Sequence, residues 1–390
     1  MSLLNRKMQI AVKKEATEGT AETLAAADVT FNVFGDPTFN IDPEVYERNP
    51  KRSTIGQQTG LIGAQPASIS FTTELVGTGD SSSPFLDTPF DVPLLACGFE
   101  RHDLSVLTVS TGAGLYLTGE TVTGGTSNAT ATVAIPNYAG SNKVYIRDVT
   151  GTFQAEAIVG GTSGTSRSSG GADAEVGFAY APTSTFNATT NGPSVTLGLY
   201  NDGKLYTMRG ARGNVTLRAQ VGEPVQLDFE FQGAYSATTD TAMLTGTSEP
   251  ARVPPQLFSA LFGLSDNTDF TPVFNSFSLS SGNDVQLRRD ANSSTGILSA
   301  KIVSRAGSGE WDPEDVLVAT EDYEGKLVGN TTFATSCEVG STAGNSFVLH
   351  APKAQYADLG KGERSGNVVN NITLRLNESL GDDELIIAAI

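Results

Sequence analysis

The stretch from Ser194 to Tyr235 constrains the fold most, because it has the pattern of four consecutive β-strands. Apolar and polar side chains alternate along its last strand, Val225 to Gln232: Leu227, Phe229 and Phe231 on one face, and Asp228, Glu230 and Gln232 on the other. This alternation is typical of a strand with one face on a core and the other in water or a lumen. Asn201-Asp202-Gly203 predicts a tight hairpin turn, since Asp and Gly accept positive φ angles.

A similar order of features returns between Ser346 and Ile390. Ile372-Thr373-Leu374-Arg375 matches Val215-Thr216-Leu217-Arg218, and an arginine precedes a Gly-Asn-Val sequence ahead of each. Leu385 to Ile390 then takes the place of the strand with the alternating phenylalanines. The alternative explanation is that all β-meanders look alike, but a duplication is more economical. We therefore predict two related β-domains.

Composition favours an all-β chain. The 390 residues include 42 glycines, and Gly, Asn and Asp punctuate the sequence at regular intervals. No apolar run approaches the roughly 20 residues that a transmembrane helix needs. The first twenty residues lack the apolar core of a secretory signal. We expect a soluble protein made in the cytoplasm, with no membrane association.

The net charge and the few cysteines and histidines limit the kinds of binding site that the chain can form. A net charge of −18 argues against binding to nucleic acid by phosphate neutralisation, and suits a surface that must not adhere to a polyanion. Cys97 and Cys337 are the two cysteines, and two buried thiols are favoured over a disulfide in an intracellular product. His102 and His350 are too few for a histidine-based metal site.

Between residues 101 and 178 the composition shifts to Ser, Thr, Gly and Ala. Gly119 to Ser127 (GETVTGGTS) is echoed by Ala155 to Ser163 (AEAIVGGTS), and Lys143 to Asp148 predicts a strand between the copies. Each copy predicts a short strand followed by a Gly-Gly turn. We interpret this stretch as a small β-module inserted into a surface loop of the first domain, with its two ends close together.

The resulting prediction is all-β, with β-sandwich or barrel domains in two copies per chain and an inserted Ig-like β-module. A short helix is expected from Val92 to Cys97, and another from Pro255 to Phe262. The predicted segments are the first domain at 1–100 and 179–240, with an extended N-terminal arm at 1–27; the insert at 101–178; a linker at 241–269; and the second domain at 270–390.

Catalytic signals are missing from the sequence. There is no nucleophile elbow, P-loop or dinucleotide fingerprint. Six carboxylates crowd one loop and are candidate Ca²⁺ ligands, but their spacing does not fit an EF-hand, so solvated surface is the favoured interpretation. They are Asp312, Glu314, Asp315, Glu321, Asp322 and Glu324. We expect neither an enzyme nor a bound cofactor or metal.

The sequence resembles the major tail tube proteins of long-tailed, siphovirus-like bacteriophages. The resemblance rests on the order of several motifs over most of the chain, each weak alone: KEATEGTAETLAAAD, the Arg52–Gly63 loop before ASISFTTELVGTG, PLLACGF, and YNDGKLYTMRGARGNV followed by FEFQGAY. The GETVTGGTS insert also resembles decorating modules of phage virion proteins.

The resemblance implies a subunit of the virion tail, whose sheets join edge to edge into rings that stack as a tube. Asp228 and Glu230 become candidates for an acidic lumen through which DNA passes without specific binding, and a contact between rings is the alternative position for them. Loop candidates for contacts between rings or subunits are Arg48, Lys51, Arg52, Gln57, Arg209 and Arg212. The arginines Arg209 and Arg212 are alternatively ordinary exposed charges.

The implied partners are other copies of the chain, together with tail terminator, tape measure and tail-tip proteins. Two tube domains per chain favour a trimeric ring with pseudo-sixfold symmetry, and a hexamer is the alternative. Two rival functions stay open: another virion structural protein, such as a capsid decoration or tail-tip protein, and a carbohydrate-binding surface protein. The second rival requires exposed aromatic residues on the insert, for which the candidates are Tyr116, Tyr138, Tyr145 and Phe153.

Overall fold

The computed structural model describes residues 4, 6–79, 87–111, 114–137, 142–187, 191–247, 252–257, 261–265 and 272–390, with the backbone alone for 261–265. The protein is nearly all β, with 52% of residues in strands and 4% in helices. The predicted all-β class is therefore confirmed.

The first half of the described chain contains fifteen strands and one α-helix. In chain order these are β1 (Met8–Lys14), β2 (Phe34–Ile41), β3 (Val45–Tyr46), β4 (Leu61–Ile62), β5 (Pro66–Glu74), α1 (Asp91–Ala96), β6 (Phe99–Thr108), β7 (Thr121–Gly124), β8 (Thr130–Ile135), β9 (Lys143–Thr150), β10 (Ala157–Gly160), β11 (Ser166–Ser168), β12 (Ala174–Pro182), β13 (Val195–Asn201), β14 (Lys204–Gln220) and β15 (Gln226–Asp240).

The second half adds nine strands and a second short helix. These are β16 (Leu261–Ser265), β17 (Ser276–Ser280), β18 (Asn283–Arg289), β19 (Ile297–Arg305), β20 (Ser308–Trp311), α2 (Tyr323–Val328), β21 (Thr332–Val339), β22 (Phe347–Arg364), β23 (Asn367–Leu376) and β24 (Ile386–Ala389).

Seven antiparallel strands from both halves form what we call the central sheet, in the order β5-β15-β14-β17-β20-β23-β22. The halves join where β17 pairs with β20, with Leu279 opposite Gly309. Through these pairings Leu217 of β14 and Leu374 of β23, the centres of the two Thr-Leu-Arg sequences, share one row across the sheet. One sheet therefore spans both predicted domains.

One face of the central sheet is the main hydrophobic core. Alternate side chains of every strand in the sheet are buried there, as the period-2 pattern predicts. They include Ile69, Phe71, Leu227, Phe229, Phe231, Val215, Leu217, Phe277, Leu279, Trp311, Ile372, Leu374 and Tyr356. Helix α1, predicted at 92–97, packs Leu94 into this core, and Phe90 beside it lies 5.9 Å from Phe347 between ring centroids. The core therefore connects the two halves.

The predicted extended arm is wrong for residues 8–14, which form β1 and pair with β13 along its full length. Ile10 and Ala11 are fully buried. The Glu15 carboxylate, also buried, accepts hydrogen bonds from Ser194 Oγ, Thr196 Oγ1, Gly19 N and Gly210 N. The strand is difficult to recognise from the sequence, because its apolar run is short and ends in two lysines. Its burial depends on β13, a partner far along the chain.

The predicted insert contains a hydrophobic cluster of its own, built only from residues between 107 and 158. β7–β11 contribute the two Gly-Gly turns and the Lys143 strand where the sequence placed them. The stretch enters along β6 and leaves along β12, and these strands pair from Phe99–Pro182 to Val106–Ala174. Its two ends therefore lie side by side.

The second half differs from expectation in two elements, β24 and the predicted second helix. β22 carries Pro352 without interruption, because a register shift accommodates the proline. β24 is not equivalent to β15: it pairs with β22 and β12 rather than with β23. The helix predicted at Pro255–Phe262 is also wrong within the described residues, since Gln256 and Leu257 form isolated bridges and β16 begins at Leu261.

Candidate functional site

The second face of the central sheet, which we call the polar face, consists of hydrophilic side chains in register. One row across the strands is Thr72, Asp228, Thr216, Ser280, Ser308, Arg375 and Gln355. The next is Glu74, Gln226, Arg218, Ser278, Glu310, Thr373 and Asp358. The sequence predicted such a face only for the first meander, and the structure extends it over seven strands.

The two predicted lumen residues lie on this face in different surroundings. Asp228 is bonded to the Arg218 guanidinium, with 2.9 Å between Arg218 Nη2 and Asp228 Oδ1, and accepts a 2.6 Å hydrogen bond from Thr72 Oγ1. The hydrogen bond to Asp228 raises the pKa of Arg218. Glu230, one step along β15, is exposed. Glu230 therefore presents the freer charge.

The polar face has an excess of negative charge. Five carboxylates, Glu74, Asp228, Glu230, Glu310 and Asp358, share it with the guanidinium groups of Arg218 and Arg375. Glu230, Glu310 and Asp358 form no ion pair with any residue that the structure describes. Partial burial raises the pKa of Glu74. The described polar face therefore carries more carboxylates than guanidinium groups.

Four of the predicted contact residues lie on a projecting hairpin. β3 and β4 pair at Val45–Ile62 and Tyr46–Leu61, and the loop between them carries Arg48, Lys51, Arg52 and Gln57. All four side chains are exposed, and the segment that carries them has no regular structure. We call residues 44–63 the β3–β4 hairpin. Its position leaves these side chains available to another molecule.

The other two predicted contact residues are used within the chain. Arg212 is buried, donates from Nη1 to Glu18 Oε1 at 2.9 Å and to Ala300 O at 2.6 Å, and from Nε to Gly192 O at 2.9 Å. Arg209 donates to Gly19 O and to the hydroxyls of Ser293 and Thr295. Both arginines fix the β18–β19 hairpin and the N-terminal segment against β14, so the structure corrects their interpretation as partner contacts.

The chain's own cations and amides bind several carboxylates of the candidate Ca²⁺ loop. Asp312 binds Arg364 and two backbone amides, Asp315 binds Lys361, and Glu321 lies 2.8 Å from Lys326 Nζ. The hydrogen bond from Lys361 lowers the pKa of Asp315. No group of three or more metal-binding side chains occurs among the described residues.

The aromatic residues that the carbohydrate-binding alternative needs are not exposed. Tyr116, Tyr145 and Phe153 are at most 1% exposed and belong to the core of the insert and its junction, while Tyr138 lies outside the described residues. Cys97 and Cys337 are both buried free thiols, as predicted, and burial raises the pKa of each.

Sequence reasoning missed the join between the halves. Trp311 follows the polar stretch Gly307 to Glu310 in the sequence, yet it is 4% exposed and lies in β20, opposite Phe277 and Ile372. The only available signals were the alternation of Phe277 and Leu279 with serines and the lone tryptophan after Gly309. A four-residue strand carries too little periodicity to be recognised alone.

No protein-family model matches the chain, and no curated protein is significantly similar to it. Among the described residues, no helix is long and apolar enough to cross a membrane.

Proposed function

We propose that this protein is the structural subunit of a bacteriophage tail tube, located in the virion tail, in which rings of the chain stack around a channel for DNA. The polar face of the central sheet is the observation that carries the proposal. A tube wall needs a sheet with a core on one side and a non-adhesive polar surface on the other. The excess of carboxylates on this face meets the second need, because it repels phosphates.

The edges of the sheets support assembly into a closed ring. β2 pairs only with β5, and β16 pairs only with β21, among the residues that the structure describes. Open edges favour pairing with another chain, and closure into a ring removes them. In this proposal the edge strands of neighbouring subunits meet, and each chain forms one segment of a continuous barrel.

The two meanders of the chain favour three chains per ring. β14–β15 and β22–β23 contain the two Thr-Leu-Arg strands and lie in one sheet. Three chains would therefore supply six such meanders around the channel. The trimer is our proposal and the hexamer its alternative.

The remaining partners follow from the same assignment. A tube of defined length needs proteins that start it, measure it and close it, so tail-tip, tape measure and tail terminator proteins are its proposed neighbours. The insert forms a separate cluster beside β6 and β12, which suits a module displayed on the outside of a tube.

Negative-stain electron microscopy of the purified protein over a concentration series tests the proposal. We expect stacked rings with a central hole, and end-on averages with three chains per ring. If only monomers form, a seed of tail-tip complex should start polymerisation. Closed shells, or monomers that stay monomeric with such a seed, would favour the rival virion structural roles.

A further inference from the structure

Two exposed apolar surfaces lie at different ends of the central sheet. The first is on the β3–β4 hairpin, where Tyr46 is 70% and Ile55 fully exposed, and it comprises Val45, Tyr46, Ile55, Leu61 and Ile62. The second, which we call the far-end patch, comprises Val273, Leu317, Val318 and Val368, with Leu317 at 80% exposure. Clustered exposed apolar side chains of this kind mark interaction sites.

Strand register places the two surfaces at opposite ends. The β3–β4 hairpin leads directly into β5 at Pro66, and β5 ends at Glu74, about 25–30 Å further along. The row of Glu74 continues across the sheet to Thr373 of β23. From Thr373, β23 runs on toward Asn367, beside the far-end patch, in the direction that leads away from Pro66.

The far-end patch is held together by backbone hydrogen bonds. Glu314 N donates to Val273 O at 2.7 Å, and Asp315 N donates to Val368 O at 2.9 Å. Glu314 also bridges to Val369. Three separate segments of chain thus fix the apolar side chains in place before any partner arrives, which lowers the entropic cost of docking.

The charges beside the two surfaces are complementary. The β3–β4 hairpin carries Arg48, Lys51 and Arg52 against Glu47, while its Glu44 is paired with Arg289 of the same chain. Around the far-end patch, carboxylates outnumber the cations Lys361 and Arg364; they are Asp312, Glu314, Asp315, Glu324 and Glu363. Two hairpins facing each other would instead bring like charges together.

We propose that the β3–β4 hairpin of one copy docks on the far-end patch of the next copy. Because the surfaces differ and lie at opposite ends, the contact is heterologous and each chain offers one free surface of each kind. Repetition then extends the assembly in one direction. This inference rests on the proposed function, because it names the surface that receives the hairpin when rings stack. The contact itself can be tested on the purified chain.

Two double variants test the contact. The hairpin variant combines Tyr46→Ala with Ile55→Asp, and the patch variant combines Leu317→Asp with Val318→Asp. All four side chains are largely exposed, so circular dichroism and melting should match the wild type. Each variant alone should need at least about 30-fold higher concentration to extend, as expected when central apolar contacts are lost. Val253→Asp, at an exposed site outside both surfaces, is the matched control and should assemble like the wild type.

Mixing the two variants gives the decisive result. The intact hairpin of the patch variant can still dock on the intact patch of the hairpin variant, so analytical ultracentrifugation should show discrete 1:1 complexes that do not extend. A mixture with no complexes, or a patch variant that assembles like the wild type, would overturn the inference. If the wild type forms tubes while the patch variant does too, the inference fails and the proposed function stands. If 1:1 complexes form but no tubes ever do, the inference stands and the tube function fails.

Discussion

Glu120 and Glu156 bind each other's turns in the insert. The Glu156 carboxylate accepts hydrogen bonds from Thr126 N, Ser127 N and Ser127 Oγ, which belong to the Gly-Gly-Thr-Ser turn after Glu120. Reciprocally, the Glu120 carboxylate accepts from Thr162 N, Ser163 N and Ser163 Oγ, in the turn after Glu156. β7 and β10, which follow the two glutamates, pair with each other. The sequence echo is therefore a reciprocal structural unit.

Replacement of Glu120 should loosen the distant turn rather than its own. Glu120→Ala leaves several partly buried donors of residues 117 and 162–163 without this acceptor, at a cost of about 1 kcal/mol. Hydrogen exchange followed by mass spectrometry should show faster exchange at 161–164 and little change at 124–127. Asp103→Asn, an exposed site on β6, is the control. Faster exchange confined to 120–127 would contradict the reciprocal arrangement.

Acid should weaken the opposite turn through Glu156. The side-chain hydrogen bond from Ser127, with backbone hydrogen bonds from the same turn, lowers the pKa of Glu156 from 4.5 to about 2. A lowered carboxyl pKa contributes stability that is complete above about pH 4.5 and is lost as pH falls toward 2. The protection factor at 124–127, which compares the observed exchange rate with the intrinsic rate at the same pH, should therefore fall between pH 4.5 and 2.5 in the wild type. Glu156→Gln should remove most of this pH dependence. A variant with the same pH dependence as the wild type would show that Glu156 does not hold the turn.

The buried His350 predicts a second pH dependence, at a higher pH. Its ring lies between Ser336 Oγ, 2.7 Å from Nδ1, and Thr118 Oγ1, 2.8 Å from Nε2. Burial lowers the pKa of His350 from 6.5 to about 3. The unfolded chain therefore binds a proton that the folded chain does not, so the stability present above pH 6.5 is lost as pH falls toward 3, by up to about 1.4 kcal/mol per pH unit.

Denaturant unfolding between pH 7.5 and 4.5 measures this effect. His350→Gln should be less stable at pH 7.5 but should lose less stability on acidification than the wild type. His102→Gln is the comparison, because burial also lowers the pKa of His102, which is less completely buried. Equal pH slopes for His350→Gln and the wild type would contradict the assignment.

Much of the local structure could be predicted from sequence, and the long-range pairings could not. Asp202-Gly203 forms the predicted hairpin, with φ angles of 42° and 102°, and the alternation around Phe229 gave the correct core face. The sequence did not reveal β1 and β20, because their burial comes from partners almost two hundred and about thirty residues away, respectively. Strand preference depends on such neighbours more than on the residues themselves.

Dependence on distant partners also explains why Arg209 and Arg212 were misinterpreted at the candidate site. Arg209 and Arg212 look like exposed charges in sequence, because nothing local indicates that the β18–β19 hairpin covers them. Asp228 and Glu230 were placed on one polar face from their spacing alone, and they lie on one face. That this face extends to Arg375 depends on the short β17–β20 pairing.

Removal of Trp311 should weaken the join between the halves. The indole is 4% exposed and packs with Phe274 and Tyr323 at centroid distances of 6.5 and 6.4 Å. Trp311→Ala should cost about 3–5 kcal/mol in unfolding free energy, through lost burial and a cavity. Glu310→Gln, on the polar side of the same strand, should change stability by less than about 0.5 kcal/mol. Denaturant melts of both variants measure the difference; equal losses would contradict the two-faced sheet.

Reversal of charge on the polar face should make assembled protein adhere to DNA. Glu230→Lys combined with Glu310→Lys places ammonium groups among the serines of the face, with little effect on folding because Glu230 and Glu310 are exposed. Sedimentation should show duplex DNA retained at about 50 mM salt and released at about 200 mM. Asp103→Lys, away from the central sheet, is the control and should retain none. Equal retention by both would mean that the polar face does not meet the DNA.

A cryo-electron microscopy reconstruction of the assembled protein tests the central claim most directly. The account predicts three chains per ring, with their central sheets joined edge to edge and Glu230 facing the axial channel. A ring with the polar face on the outside, or assemblies without a channel, would contradict it.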